Sequence, residues 1–414
     1  MLARRWILFL VAGAAFGQGR TSLDLDSFEK VWTTVRDKHW QVKPGGLDWQ
    51  AIHEEYRPRV EKAASHDEAR AVMQEMLGRL KQSHFAIIPA VVYSALDDQG
   101  EGPGTTGIDA RVLDGHAVVT SIDPGSPAEK HGVRPGWQIQ RAGGRDLQAV
   151  IDQGRSNPAI QELQLTRAVL ARLSGPLGGT LGATFLDGSG KPVTVSLDLT
   201  MPRGALSAFG NLPAQHVWFE SKRIAQTEYV RFNMFLDLPR VMASFQQAVE
   251  NCKSCNGLII DLRGNPGGIG GMAMGMAGFL VDKPNQRLGT MYLRNSTLNF
   301  VVNPRADVFS GPVAVLVDGC SASTSEIFAG GLKDLGRARV FGTRTAAAAL
   351  PSEFVRLPNG DGFQYAVANY VSEGGQPLEG LGVTPDVVVE LTSSALLAGH
   401  DPVLDAALDW IKKP

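Results

Sequence analysis

Pro312-Val313-Ala314-Val315-Leu316-Val317-Asp318-Gly319-Cys320-Ser321-Ala322-Ser323-Thr324-Ser325-Glu326-Ile327 is the stretch on which the fold turns. Its first six residues are a continuous apolar run, the pattern of a strand covered on both faces. A sharp turn of small and hydroxyl residues follows, and a helix starts near Ser323. The free backbone N–H groups of a helix start favour developing negative charge, so a hydroxyl placed there has what a nucleophilic serine needs. Taken alone, Ser323-x-x-Glu326 is equally a capping box, a purely structural device. Gly319-x-Ser321-x-Ser323 also lacks the last glycine of the hydrolase elbow Gly-x-Ser-x-Gly.

Outward from this stretch, residues 201–414 alternate strands and helices. Leu258-Ile259-Ile260-Asp261-Leu262 is a second apolar run, and it leads into Arg263-Gly264-Asn265-Pro266-Gly267-Gly268. These glycines expose N–H groups without side-chain obstruction, and a neighbouring strand end can aim them at the oxyanion served by the N–H after Ser323. Both turns lie where strands end, the usual place for a site in α/β folds. Glu353–Leu357 and Phe363–Val367 flank a Pro-Asn-Gly-Asp-Gly turn and predict a hairpin. Residues 91–200 read as short strands and turns with a short helix at Ala128–Gly132; 150–172 read as an insertion or a lengthened helix. Residues 21–90 read as helical: Phe28, Val31, Trp32 and Val35 recur at helical spacing behind a capping-box-like Asp26 and Glu29. A second helix through Val72, Met76 and Leu80 ends near Gln82-Ser83-His84, and Phe85–Pro89 predicts a short strand. The fold class is therefore α/β (α+β) and multidomain, with domains at 21–90, 91–200 and 201–414.

Of 414 residues, 43% are apolar and 20% charged, enough for a large core. Forty basic against 42 acidic residues give a net charge of −2, which removes any global electrostatic reason to bind nucleic acid or anionic membrane. The basic start Met1–Trp6 and the apolar run Ile7–Ala14 predict a cleavable signal peptide over 1–17, hence a periplasmic or secreted protein. No later stretch is long enough to span a bilayer. Export permits a disulfide between Cys252 and Cys255, and Cys320 reads as a buried small hydrophobe. A redox role for the Cys252 and Cys255 pair is a third functional reading. Zinc lacks a ligand set, so no metal and no cofactor is expected.

Together these segments, in this order, resemble the S41 family of serine peptidases: the carboxyl-terminal processing proteases and the tricorn-like and retinoid-binding-protein-like branches. The likeness includes the closing Glu379-Gly380-Leu381-Gly382-Val383-Thr384-Pro385-Asp386. Residues 91–200 resemble a PDZ domain, with Gly136-Trp137 where that family has Gly-Asp. Thr106-Gly107-Ile108-Asp109 matches its peptide-capturing loop, so Gly107 and Ile108 are implied peptide contacts. The S41 resemblance implies Ser323 as nucleophile and the N–H groups of Thr324 and Gly268, or alternatively Gly267, as oxyanion hole. Processing proteases of this family pair the serine with a lysine, but the matching position here is Ala348. Only Lys333 or another lysine swinging in would restore such a dyad. The tricorn-like branch uses a histidine oriented by a carboxylate, which the resemblance places at His84 and Glu379, with Ser83 either orienting the site or ending the preceding helix. The expected function is an exported serine endopeptidase acting on peptides or unfolded proteins through an acyl-enzyme. The rival is a non-catalytic carrier of peptides or hydrophobic ligands on the same scaffold.

Overall fold

The computed structural model describes residues 8–97, 103–154, 161–210 and 212–413. Residues 1–7 of the expected signal peptide lie outside these, whereas 8–17 are helical and run without a break into α1 (Leu8–Lys38). α2 (Trp49–Glu61) begins at Asp48, which caps the Ala51 N–H, and α3 (His66–Gly78) begins at Ser65, which caps Glu68. Phe28, Val31, Trp32 and Val35 are buried in one cluster with Ile52, Tyr56, Met73 and Met76, as their spacing predicts. α3 stops at Gly78, earlier than the sequence pattern suggests. Residues 81–85 then form an irregular turn into β1 (Ala86–Ile88).

The second region is a twisted antiparallel sheet. Its strands are β2 (Ile108–Leu113), β3 (His116–Ile122) and β4 (Gln138–Ala142), followed by two helices, α4 (Leu147–Gln153) and α5 (Gln161–Arg172). β5 (Thr180–Leu186) and β6 (Pro192–Asp198) complete it, in spatial order β2-β3-β4-β5-β6. The segment expected as one insertion or lengthened helix is thus two helices. Leu165 and Val169 of α5, with Leu173 just beyond its end, bury one stripe against Ile108, Ala110 and Ile151, which leaves the other side of the helix free to meet the third region.

That region is built on a mostly parallel sheet: β7 (Phe219–Ile224), β8 (Thr227–Phe232), β9 (Gly257–Asp261), β10 (Val313–Val317) and β11 (Arg339–Gly342). Helices α6 (Leu238–Asn251), α7 (Gly270–Ala277) and α8 (Thr324–Asp334) cover one face. A hairpin of β12 (Ser352–Arg356) and β13 (Gly362–Ala366) precedes the short edge strand β14 (Val387–Val388), and α9 (Pro402–Lys412) covers the opposite face. The sheet order is β7-β8-β9-β10-β11-β14, with only the β7–β8 pair antiparallel. Every residue of β9 and β10 is buried, which is why both read as unbroken apolar runs. They pair in parallel, so the loops after them leave the same edge of the sheet side by side. A disulfide joins Cys252 and Cys255 where α6 gives way to β9, and Cys320 is a buried free thiol.

One connection fixes the site. β1 pairs with β13, Ile87 opposite Phe363, so the segment just before β1 is carried to the peptidase-like region by the β12–β13 hairpin. Arg70 forks onto Asp361 in that hairpin at 2.9 and 3.0 Å, with Asp361 almost fully buried.

Candidate active site

Ser323 sits between the end of β10 and the first turn of α8 with φ +54° and ψ −118°, a backbone region that non-glycine residues rarely occupy. Three of the other seven non-glycine residues at positive φ are close in sequence to the candidate residues: Lys81, His84 and Ala347. Strain of this kind persists only where the surroundings over-determine it. Here the clamp is Glu326. Its fully buried carboxylate accepts the Ser323 N–H at 3.0 Å, the Ala347 and Ala348 N–H groups at 2.9 and 3.0 Å, and the Thr345 hydroxyl at 2.6 Å. The Ser323 N–H is shared with the Ala348 carbonyl at 2.9 Å. Burial pushes the Glu326 pKa up to about 7 against the pull of these four donors. The capping-box pair thus does more than cap: it ties the serine's backbone to the 345–348 loop.

The glycine turn after β9 lies against this residue. A Cβ built on Gly267 would stand 2.8 Å from the Ser323 Cβ and 2.7 Å from the Thr324 nitrogen, so only glycine permits the approach. The Gly267 N–H is spent on the Asn265 side chain at 2.9 Å, and Asn265 is held by the Phe232 carbonyl and the Ser325 hydroxyl. The N–H groups of Gly268 and Thr324 have no acceptor among the described residues, which favours Gly268 over Gly267 as the second oxyanion donor. The Thr324 hydroxyl donates to the Gly268 carbonyl at 2.8 Å and locks the two donors together.

His84, Ser83 and Glu379 form a hydrogen-bonded chain. The Glu379 carboxylate accepts the Ser83 N–H at 2.6 Å, the Ser83 hydroxyl at 2.7 Å and the Ala349 N–H at 3.1 Å. The Ser83 oxygen lies 2.7 Å from Nδ1 of His84. An ionised carboxylate only accepts, so the Ser83 proton points to Glu379 and Nδ1–H of His84 donates to Ser83, which leaves Nε2 as the basic nitrogen. The family resemblance implies a carboxylate that holds the ring directly; in the structure a hydroxyl stands between them. Burial, with a smaller contribution from the Arg167 charge, lowers the His84 pKa to about 4, and burial raises that of Glu379.

The chain and the nucleophile meet at adjacent residues: Ser323 binds the Ala348 carbonyl, and the next N–H, of Ala349, binds Glu379. The Ser323 hydroxyl makes no hydrogen bond to His84 in this conformation; catalytic contacts of this kind often tighten only with substrate bound. At the lysine position, Ala348 is buried with Leu163, Cys320, Ala322 and Ala346, an apolar patch with no amine. Lys333 lies at the far end of α8, bonded to the Thr384 carbonyl at 2.6 Å and paired with Asp386 at 3.2 Å, so it does not replace that lysine. In the antiparallel sheet, the Gly107 N–H is bonded to the Thr105 hydroxyl at 3.1 Å, and Ile108 is buried in that region's core. No group of His, Cys, Asp and Glu among the described residues has the geometry of a metal site.

Comparison with known proteins bears on the fold and the class of enzyme. The family model for peptidase family S41 matches residues 226–389, which contain the glycine turn after β9, Ser323 and Glu379; the model of the tricorn protease C1 domain matches 25–78. Residues 226–389 thus resemble a family S41 peptidase domain. Among relatives, the carboxyl-terminal-processing protease of a Picosynechococcus species is 27% identical over 436 residues, covering 98% of this chain and 94% of the relative. The chloroplastic carboxyl-terminal-processing peptidase 3 of Arabidopsis thaliana is 27% identical over 369 residues, covering 86% and 67%. The solved photosystem II D1 C-terminal processing protease shares the fold, with a TM-score of 0.61, 23% identity and coverage of 93% and 96%. The protein is a serine-type peptidase with α/β architecture. No described helix of the protein is long and apolar enough to cross a membrane.

Proposed function

We propose that this protein is an exported serine endopeptidase that cleaves peptides or unfolded proteins through an acyl-enzyme, using Ser323, His84 and Glu379 with Ser83 as a relay. In this reading His84 Nε2 takes the proton of the Ser323 hydroxyl as its oxygen attacks the scissile carbonyl carbon. The oxyanion is held by the N–H groups of Gly268 and Thr324. His84 then passes the proton to the leaving amine, and water, deprotonated by the same ring, releases the acyl group and restores Ser323. Ser83 and Glu379 hold the tautomer and stabilise the imidazolium. The antiparallel domain acts as a PDZ-like docking module that receives an extended peptide at the free edge of β2, near Gly107 and Ile108.

The observation that carries the reading is the Glu379–Ser83–His84 chain, assembled from segments almost 300 residues apart in sequence and anchored on the loop that holds Ser323. A half-buried serine–histidine–carboxylate chain with a free Nε2 has little purpose in a passive scaffold. The test is incubation of the purified protein with a denatured protein mixture and sequencing of new termini. Wild type generates them and Ser323→Ala does not, and a serine-directed phosphonate labels Ser323 alone. Hydrolysis by Ser323→Ala equal to wild type overturns the assignment.

A further inference from the structure

α5 presents to the active site a side that the proposed chemistry leaves unused. The Glu162 carboxylate lies against Gly319, and Leu163 is buried with Cys320, Ala322 and Ala348. One helical turn beyond Leu163 stands Arg167, on the same side of the helix and within electrostatic range of both His84 and Cys320. Its side chain is open to solvent, and among the described residues it makes no ion pair and no hydrogen bond. The neighbouring arginines of the domain interface behave differently: Arg111 is paired with Asp109 and Asp318, Arg231 with Asp109, and Arg263 with Asp261 and Asp401. A guanidinium left open beside a catalytic ring, in a region where the other cations are paired, has its five donors available to something that enters from outside.

We infer that Arg167 is the receptor for a carboxylate of the bound substrate, placed a few residues beyond the scissile bond. The inference rests on the serine-peptidase reading above and extends it to substrate choice. The ring that protonates the leaving amine stands on the leaving-group side of the scissile bond, so a cation near His84 borders the path of the residues that depart. Two sources supply the same chemistry there: the free C-terminal carboxylate of a short departing segment, and the side chain of an Asp or Glu within a longer one. A fork-like guanidinium pairs with either. Pairing also has an electrical consequence, because a bound carboxylate cancels a positive charge that holds the ring's proton affinity down and so makes His84 a stronger base when the substrate is in place.

The test uses the full chain and two pairs of synthetic peptides with a common cleavage site. One pair ends two residues past the scissile bond as a free carboxylate or as an amide; the other is longer and has Glu or Gln at that position, with an amidated end. Wild type prefers the carboxylate member of at least one pair by about tenfold in kcat/KM, the scale of a charge-assisted hydrogen bond. Arg167→Gln brings that ratio to one, and Arg167→Lys restores part of it. A preference confined to the first pair assigns the C-terminus, one confined to the second assigns the acidic side chain, and equal preference assigns any carboxylate. Binding of the same peptides to Ser323→Ala gives a readout independent of turnover: the carboxylate member binds more tightly and Arg167→Gln in that background removes the difference. Equal binding and equal cleavage of both members by proteins with Arg167 intact overturns the inference. Carboxylate-selective binding without any cleavage overturns the peptidase reading instead and leaves Arg167 as the receptor.

Discussion

The two halves of the proposed catalytic site are built in opposite ways. The nucleophile half, Ser323 with Gly267, Gly268 and Glu326, comes from two loops at one edge of one parallel sheet, and its groups are held by hydrogen bonds inside a single domain. The base half, Ser83, His84 and Glu379, is gathered from the end of the N-terminal helical region and from a loop near the C-terminus, and it depends on the β1–β13 pairing and on the Arg70–Asp361 fork to arrive in place. A single domain fixes its geometry by local closure; a site shared between regions is set by their docking, which is the softer constraint. That contrast explains why the oxyanion donors are already poised while the Ser323 hydroxyl has yet to meet the ring.

The sharpest way to break the comparison is to delete one group from each half. Ser323→Ala and His84→Ala each lower kcat on a peptide substrate by on the order of 10⁴-fold or more, and the double variant is scarcely worse than either, because the members of such a unit are grossly non-additive. Steady-state kinetics on all three proteins checks this. Losses that multiply in the double variant would mean that the halves work independently.

Ser83→Ala probes the joint inside the base half. The substitution keeps the Ser83 N–H bond to Glu379 but leaves Nδ1 of His84 without its partner, so the ring loses its fixed tautomer and orientation. A fall in kcat of about 100-fold is expected, the scale of misplacing a catalytic group, with KM little changed and the melting temperature held. Ser83→Thr, which keeps the hydroxyl, recovers most of it. An unaltered kcat in Ser83→Ala would reduce this residue to the end of a turn.

The same contrast explains what the sequence discloses. The turns that carry Ser323, Gly268 and Thr324 are legible because their elements have strong local signatures, namely apolar runs of five or six residues for β9 and β10, glycines and small hydroxyl residues in the turns, and a capping-box pair at the helix start; the roles of the three residues come from the family resemblance. His84 and Glu379 carry no such local signal, and only resemblance to a family pattern singles them out. The sequence leaves Ser83 either orienting the site or ending a helix, and its place between His84 and Glu379 is not legible because it depends on the handedness of a turn in which His84 has φ +60°. Glu326 reads as a cap, and nothing in its spacing shows that residues 345–348 fold back to supply three more donors. Arg167 is one of many arginines until the antiparallel domain docks and turns one side of α5 toward the nucleophile loop. The division of 150–172 into α4 and α5 is missed for a related reason, since each helix buries its own apolar stripe.

The smallest effect separates the halves by pH. In the base half, the folded-state pKa of His84 is about 4, below the ordinary value of 6.5, because burial disfavours the charged ring. The unfolded chain therefore binds more protons between pH 4 and 6.5, and this group makes stability rise with pH across that window and level off above it. In the nucleophile half, Glu326 is raised from 4.5 to about 7 by burial, so the folded chain binds more protons between pH 4.5 and 7 and this group makes stability fall as pH rises. Over much of the same range the two slopes oppose one another. Thermal melts of wild type from pH 4.5 to 6.5 therefore vary less steeply than those of either single variant. His84→Asn removes the rising contribution and shifts the profile toward lower stability with increasing pH; Glu326→Gln removes the falling contribution and shifts it the other way. Variant profiles parallel to wild type would show that neither group titrates differently on folding, and the electrostatic contrast between the halves would be lost while the geometric one stood.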